Sequence, residues 1–186
     1  TAYNADGKVI RFSERKYDAN GNITKGSQTY YDTEGNIESS SITEYEYDAN
    51  DNITKETYTS YDVEGNKKTS FVTEYDADGN ITKGTQTHYN AEGNIESSSV
   101  TENQYDASGK RIKANSSTYD ANGNKTSSFV TEYEYDANGN ITKGTQTNYN
   151  SDGKVDTTVV IEYENGKQKK RTVYNADGSI RYTQDF

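Results

Sequence analysis

The sequence contains no cysteine, proline, methionine or tryptophan, and only 28% of its 186 residues are hydrophobic. The absence of cysteine excludes disulfides, thiolate metal sites and cysteine catalysis. No segment approaches the roughly 18 consecutive apolar residues of a membrane-spanning helix. A mean hydropathy of -1.19 and a net charge of -10 are, by themselves, typical of disordered chains.

The aromatic content argues against disorder. The chain has 18 tyrosines and 4 phenylalanines, and it has no proline. Tyrosine and threonine favour the half-buried surface of a pleated sheet. The acidic balance, with a pI near 4.6, argues against nucleic acid and anionic membranes as partners, since both attract basic patches. We therefore expect a folded protein with a thin core.

A short motif, Tyr-Asp/Asn-x-x-Gly-Asn/Lys, recurs along the whole chain. The nine residues Tyr17–Lys25 are repeated letter for letter at Tyr135–Lys143. Successive motif tyrosines are 14 or 16 residues apart, except for a final step of 11. Even spacing indicates β-strands, because a one-residue slip moves every side chain to the other face. No segment shows the 3.6-residue apolar period of a helix.

Each motif has the chemistry of a hairpin turn. In Asp18-Ala-Asn-Gly21 the aspartate suits the first turn position, and the glycine suits the left-handed region after it. Asp51 replaces this glycine in one corner, and Glu164–Lys167 contains a shorter Asn-Gly turn. We therefore predict an all-β fold, a repetitive antiparallel meander of about 14 strands. A twisted single-layer sheet is the preferred form, with a coiled or spiral sheet and a barrel as alternatives.

The ends of the chain differ from its middle. We expect residues 1–186 to form a single repeat array, with an N-terminal cap strand at 1–16, core repeats of 14 or 16 residues at 17–163 and a C-terminal cap hairpin at 164–186. Charges lie on the terminal strands and discourage edge-to-edge aggregation, at Arg11, Glu14, Arg15 and Lys16 and at Lys167–Arg171. A basic patch for an anionic partner is the other interpretation of Lys167–Arg171.

Turn geometry predicts which residues face each other. With Asp18 opposite Asn22, Tyr17 pairs with Ile23, and the tyrosines paired in this way all have odd numbers, so they are expected on one face. The same register places Ile42, Val100 and Val160 opposite Gly26, Gly84 and Gly144. We call the pair of residues that flanks a corner, such as Tyr17 and Ile23, a mouth pair. Further mouth pairs are expected at Tyr3–Val9, Tyr31–Ile37, Tyr47–Ile53, Tyr75–Ile81, Tyr89–Ile95, Tyr135–Ile141 and Tyr149–Val155.

The tyrosines are the candidate binding residues. Their simplest role is structural, since a Tyr–Ile pair closes each hairpin. Alternatively, the rings stack on sugars or on an apolar partner, and a repeated array binds with avidity or self-associates. The candidate ligand-binding residues are Tyr31, Tyr45, Tyr47, Tyr61, Tyr75, Tyr89, Tyr105, Tyr119, Tyr133, Tyr135 and Tyr149.

No catalytic or metal site is expected. The spacing of Asp18, Asn20 and Asn22 suggests a calcium loop, but no bidentate glutamate follows at the twelfth position, and a turn explains these residues better. His88 is the single histidine. The carboxylates recur in every repeat, whereas a catalytic pair needs one asymmetric pocket. We expect a non-enzyme without cofactors.

The corner Tyr133–Asn140 resembles the YD repeat of Rhs-type bacterial proteins, whose signature is Tyr-Asp followed by x-x-Gly. The resemblance implies curved β-sheets of secreted toxins and cell-surface proteins, with adhesion as the role of related animal proteins. The present repeats are shorter, mostly have asparagine instead of a basic residue after the glycine, and have no proline-containing boundary motif. A weaker similarity connects Tyr89–Gly93 with Gram-positive cell-wall-binding repeats, whose ligand sites contain tryptophan.

These observations give two expectations for function. The first is a non-catalytic structural or spacer module of a bacterial cell-surface or secreted protein, located outside the cell. The second is a carbohydrate- or cell-wall-binding module that uses the tyrosine face. A glycan, a cell wall or a protein partner on that face is consistent with the second expectation.

Overall fold

The computed structural model describes all 186 residues, Thr1–Phe186. Every regular element is a β-strand. No helix is present that could cross a membrane. The fourteen strands are β1 Ala2–Tyr3, β2 Val9–Tyr17, β3 Ile23–Tyr31, β4 Ile37–Tyr47, β5 Ile53–Tyr61, β6 Lys67–Tyr75, β7 Ile81–Tyr89, β8 Ile95–Tyr105, β9 Arg111–Asp120, β10 Lys125–Tyr135, β11 Ile141–Tyr149, β12 Val155–Glu164, β13 Lys167–Asn175 and β14 Ile180–Asp185.

The strand order follows the chain from β1 to β14 in one antiparallel sheet. This order confirms the predicted all-β meander, and it does not close on itself, which excludes the barrel alternative. The chain divides into two compact units, Thr1–Ser98 and Ser99–Phe186.

The corners adopt the predicted turn. The backbone amide of Asp18 donates to the carbonyl of Asn22 at 3.0 Å, and the amide of Gly21 donates to the carbonyl of Asp18 at 3.3 Å. Gly21 has a φ of 92°, in the left-handed region that favours glycine. Asp51 takes the same place with a φ of 65°. The composition of the motif therefore sets the shape of each corner.

The first aspartate of each corner is held by the loop it starts. Asp18 Oδ1 accepts hydrogen bonds from the backbone amides of Asn20 and Asn22, at 2.9 and 2.8 Å. The bond from the Asn22 amide is the main cause that lowers the pKa of the Asp18 carboxyl. Loop hydrogen bonds lower the pKa in the same way at Asp32, Asp48, Asp62, Asp76, Asp106, Asp120 and Asp136.

A one-residue register shift follows each corner, in the strand that leaves it. Tyr17 pairs with Ile23, but Lys16 pairs with Lys25, so Thr24 has no residue opposite. The same shift separates corner from strand body in ten further hairpins. Behind the Tyr-Asp/Asn-x-x-Gly corners this β-bulge reverses the parity, so an odd residue of one strand pairs with an even residue of the next. The β12–β13 hairpin, which has the shorter Asn-Gly turn, pairs residues of equal parity, such as Glu162 with Lys170.

The shift overturns the expectation that all odd-numbered residues share one face. Gly26 pairs with Arg15 and Thr43 instead of Ile42. Gly144 pairs with Tyr133 and Ile161 instead of Val160. Both expected partners were wrong by one residue, because the loop residues specify the corner but not the bulge behind it. The pairing of Gly84 with Val100 stays a prediction.

The unit Thr1–Ser98 has two different faces. Paired residues lie on the same side of a sheet, and neighbours along a strand lie on opposite sides. The groove face is the side that carries the cross-strand row Arg15, Gly26, Thr43, Tyr58, Phe71 and Gln86. The lysine face is the other side, and it carries Lys25, Ile42, Lys55, Val72 and Lys83.

The core is thin, as the composition predicts. Ala114 and Val173 are the buried hydrophobic residues, each 6% exposed. Thr59, Ser116 and Thr172 are buried polar residues. With this little burial, cross-strand side-chain pairs supply most of the side-chain packing of the sheet.

Candidate functional site

The motif tyrosines close the hairpin mouths, as predicted. Tyr17 pairs with Ile23 directly next to the corner, as an aromatic–aliphatic cross-strand pair. The same aromatic–aliphatic pair is present at Tyr3–Val9, Tyr31–Ile37, Tyr47–Ile53, Tyr75–Ile81, Tyr135–Ile141 and Tyr149–Val155.

The candidate tyrosines do not share one face, so the predicted tyrosine face is wrong. The register shifts divide them, because parity changes at each bulge. Within Thr1–Ser98, the groove face carries Tyr45, Tyr47 and Tyr75, and the lysine face carries Tyr31, Tyr61 and Tyr89. Within Ser99–Phe186, Tyr133 and Tyr135 share a side, Tyr119 and Tyr149 lie on the opposite side, and Tyr105 ends β8.

Some tyrosine hydroxyls connect neighbouring corners. Tyr47 Oη donates to the carbonyl oxygen of Ile23 at 2.8 Å, and Tyr135 Oη donates to that of Arg111 at 2.8 Å. Desolvation by burial raises the pKa of both phenols. Asp51 connects the same corners as Tyr47, because its Oδ1 accepts from the side-chain amide nitrogens of Asn20 and Asn22 at 2.9 and 2.6 Å. Tyr47 and Tyr135 thus have structural contacts.

Other tyrosines make weaker contacts with their neighbours. Tyr75 Oη lies 3.4 Å from Glu56 Oε2, and Tyr89 Oη lies 3.4 Å from Ser70 Oγ. The Arg111 guanidinium lies 5.1 Å from the centre of the Tyr133 ring and donates to its hydroxyl at 2.9 Å. These side chains are engaged within the sheet.

A groove of about 430 Å³ crosses β2 to β5 on the groove face. Small and polar side chains form its floor, and tyrosines and arginines form its walls. The floor residues are Ser13, Gly26, Gln28, Ser41 and Thr43, the wall residues are Arg11, Arg15, Tyr30, Tyr45 and Tyr58, and Glu14, Ile23 and Ser27 complete the lining.

Gly26 keeps the groove open. A Cβ added at Gly26 would meet no atom within 4 Å. The equivalent Gly144 is covered, because an added Cβ would lie 3.9 Å from Tyr133 Cδ1 and 4.0 Å from Tyr163 Cε2. The difference follows from the paired residue, which is Arg15 at the first glycine and Tyr133 at the second.

The groove carries two uncompensated positive charges. Arg11 and Arg15 lie on the same side of β2, both are exposed, and their guanidinium groups form no ion pair or hydrogen bond within the chain. On the lysine face, by contrast, Lys25 pairs with Glu44 at 2.9 Å and Lys55 pairs with Glu46 at 2.8 Å. Glu14 is the one carboxylate among the groove residues. The groove is therefore cationic in a chain of net charge -10.

Sequence reasoning found only part of this groove. Of the candidate tyrosines, Tyr45 lines it, while the wall residues Tyr30, Tyr58, Arg11 and Arg15 were missed as binding residues. The even spacing of Arg11 and Arg15 places both on one face, which was a usable signal. Tyr30 and Tyr58 have even numbers, and only the bulges place them on the same side as the odd-numbered Arg11 and Arg15. The motif alone therefore could not predict this combination.

His88 and the carboxylates do not gather into a metal-binding site. No group of three His, Cys, Asp or Glu side chains is arranged to hold a metal ion. His88 Nε2 lies 2.9 Å from Gln86 Nε2. The aspartates that suggested a calcium loop instead accept hydrogen bonds from their own turns, as at Asp18.

The fold and groove define an all-β protein of antiparallel hairpin repeats. No family model matches the chain, and no curated protein matches it. Among solved structures, it is similar to a Tc holotoxin pore from Photorhabdus luminescens at 14% identity and a TM-score of 0.42, covering 98% of this chain and 12% of that chain. It is also similar to a chain of the TcdB2–TccC3–Cdc42 complex at 12% identity and a TM-score of 0.22, covering 96% of this chain and 15% of that chain.

A third similar structure is a Bacteroides fragilis protein of unknown function, at 13% identity and a TM-score of 0.30, with coverage of 75% of this chain and 92% of that chain. The chain spans a small fraction of the length of the two toxin chains. TM-scores this low do not establish a shared fold. The resemblance of the motif to YD repeats stays a prediction.

Proposed function

We propose that the chain is a non-catalytic structural module of a secreted or cell-surface bacterial protein. The repetition of one self-closing unit supports this function best. Each hairpin has its own turn, its own mouth pair and its own bulge, so each depends mainly on its immediate neighbours. The extracellular setting rests on the resemblance of the Tyr133–Asn140 corner to YD repeats.

Deletion of a pair of strands tests the modular role. Removing residues 62–89 deletes β6 and β7 and joins Tyr61 to Asn90, which restores the Tyr-Asn-x-x-Gly corner with the same parity. A structural array is expected to remain folded, with an unchanged β-sheet circular dichroism spectrum per residue and cooperative unfolding. Loss of cooperative unfolding in this variant would contradict a modular array.

Carbohydrate or cell-wall binding is the second candidate function, and the groove favours it. Three tyrosine rings surround a floor of hydroxyl and amide groups, and this combination of aromatic and polar groups suits sugars. Co-sedimentation with purified cell walls and insoluble polysaccharides tests it. We expect Tyr45→Ala/Tyr58→Ala to abolish retention in the pellet and Tyr61→Ala/Tyr89→Ala, on the lysine face, to preserve it. Absence of retention on every polymer would leave the structural role alone.

A further inference from the structure

We propose that the groove on β2 to β5 binds saccharides that carry carboxylates, such as uronic acid polymers. The inference rests on the glycan-binding function above and specifies its ligand and its location. It assigns the ligand to one place in the repeat array instead of to every tyrosine.

The location follows from the three glycines in the strand bodies. Gly26 pairs with Arg15, Gly84 pairs with Thr73, and Gly144 pairs with Tyr133. The first glycine combines open space above the backbone with a cation beside it, whereas tyrosine rings cover Gly144. Open space and a neighbouring cation therefore occur together at only one of the three glycine positions. The repeat itself does not account for this difference, and binding of a ligand at that position does.

The arginines determine the charge of the ligand. Arg11 and Arg15 are four residues apart on one strand, which separates their Cα atoms by about 13 Å. A guanidinium group presents planar, paired donors that match a carboxylate. Since neither arginine has a partner within the chain, both are available to two separate carboxylates along a polymer. The net charge of -10 disfavours general attraction of polyanions, so binding depends on this local pair.

The floor favours a saccharide over an acidic peptide. Ser13, Ser41 and Thr43 offer hydroxyl groups, and Tyr30 Oη donates to Gln28 Oε1 at 2.9 Å, which leaves the Gln28 amide nitrogen as a donor. Ile23 is the single aliphatic side chain in the lining, so the groove lacks apolar subsites for peptide side chains. Tyrosine rings and many small polar groups suit a ligand rich in hydroxyls.

Titration calorimetry with two forms of one polymer tests the inference. Polygalacturonate oligomers carry a carboxylate on each sugar, and their methyl esters have the same backbone without the charge. We expect the acid form to bind about tenfold or more tightly than the ester, the size of one charge-assisted hydrogen bond. Arg11→Gln/Arg15→Gln is expected to remove this preference. Both arginines are exposed, so the variant is expected to fold.

Lys16→Gln is the control, because it removes one positive charge from the same strand on the lysine face. It is expected to bind the acid form like the unchanged protein. Equal losses in Lys16→Gln and the arginine variant would overturn the groove as the site. Equal binding of acid and ester would overturn the selection of carboxylates but leave glycan binding, whereas no binding of either form, or of any cell-wall polymer, would remove both. Binding of polyglutamate as tight as that of the acid form would overturn the choice of a saccharide.

Discussion

The effect of replacing a glycine depends on the backbone angle at its position. Gly21 has a φ of 92° at a corner, where a side chain is strained. Gly26 lies in a strand body without a positive φ and with open space around it. The same residue type therefore has opposite roles five residues apart, a turn requirement at Gly21 and an open groove floor at Gly26.

We predict opposite signs for alanine at these two glycines. Gly21→Ala is expected to lower the free energy of unfolding by about 1 kcal/mol, because alanine resists the left-handed region. Gly26→Ala is expected to raise the free energy of unfolding by about 0.5 kcal/mol, since alanine loses less backbone entropy in a strand. Urea denaturation of both variants measures the difference. A stable Gly21→Ala variant would show that the corner does not require its positive φ.

Because of the corner carboxylates, the free energy of unfolding is expected to change with pH in the acidic range. The side-chain amide and backbone amide of Asn140 both donate to Asp136, and these bonds lower its pKa below the ordinary value of 3.8. A carboxyl with a lowered folded pKa stabilises the fold above 3.8, and this contribution is lost as the pH falls through the lowered value.

Asp136→Asn isolates this contribution, because Asn150 already occupies the same position in another corner and accepts the same backbone bonds. We expect the unchanged protein to be more stable than Asp136→Asn near neutral pH. The difference in free energy of unfolding is expected to shrink as the pH is lowered below 3.8. Urea denaturation from pH 6 to about pH 2 follows it. A difference that stays constant would show that the carboxylate charge contributes nothing to the turn.

At the scale of the hairpin, tyrosine hydroxyls connect one corner to the next corner on the same margin. Tyr47 Oη reaches the carbonyl of Ile23, which belongs to the preceding corner of that margin. Tyr17 closes its own hairpin mouth but is 56% exposed, and its hydroxyl forms no hydrogen bond within the chain. The two tyrosines occupy the same motif position, and only Tyr47 has a hydroxyl bond to the neighbouring corner.

We therefore predict that Tyr47→Phe is destabilising and that Tyr17→Phe is nearly neutral. The first change removes the hydroxyl bond and keeps the ring, with an expected loss of about 1 kcal/mol in the free energy of unfolding. The second change is the control for loss of a hydroxyl without a partner. Chemical denaturation compares them, and equal effects would contradict a structural role for the Tyr47 hydroxyl.

Within a hairpin, the sequence predicts the turn and the pair that flanks it, but not the bulge behind them. Corner residues such as Asp18 and Gly21 specify the turn locally, and the Tyr17–Ile23 pair follows directly from it. The bulge at Thr24 has no such signature, because threonine at that position fits a regular strand equally well. Everything that depends on the bulge was therefore missed, including the division of the tyrosines between two faces and the groove around Gly26.

At the scale of the molecule, stability is expected to be lowest at the ends of the strand order. β14 is exposed along its whole length and pairs only with β13, whereas β5 lies between β4 and β6 and contains the buried Thr59. Strands without a second neighbour open more easily.

We expect backbone amides of β14 to exchange with solvent faster than those of β5, measured by hydrogen exchange and mass spectrometry. Opening of a terminal strand requires the loss of one set of cross-strand bonds, and opening of an interior strand requires the loss of two. Uniform protection along the chain would contradict a sheet stabilised by neighbouring strands, and would indicate all-or-none unfolding.

The two faces of the sheet and the groove both depend on the register shift. The chain has no cysteine, so pairs of introduced cysteines report the register cleanly. The structure pairs Gln28 with Ser41 and Thr29 with Ser40, and these adjacent pairs cover both hydrogen-bonding types of an antiparallel sheet. A register without the bulge would pair Gln28 with Ser40 and Thr29 with Ser39 instead.

We predict that mild oxidation joins Gln28→Cys/Ser41→Cys or Thr29→Cys/Ser40→Cys within one chain, since directly opposed Cβ atoms are close enough for a disulfide. Gln28→Cys/Ser40→Cys and Thr29→Cys/Ser39→Cys are expected to remain reduced, because their side chains lie on opposite faces. Disulfides in the second set and not in the first would return the tyrosines to one face and would contradict the groove.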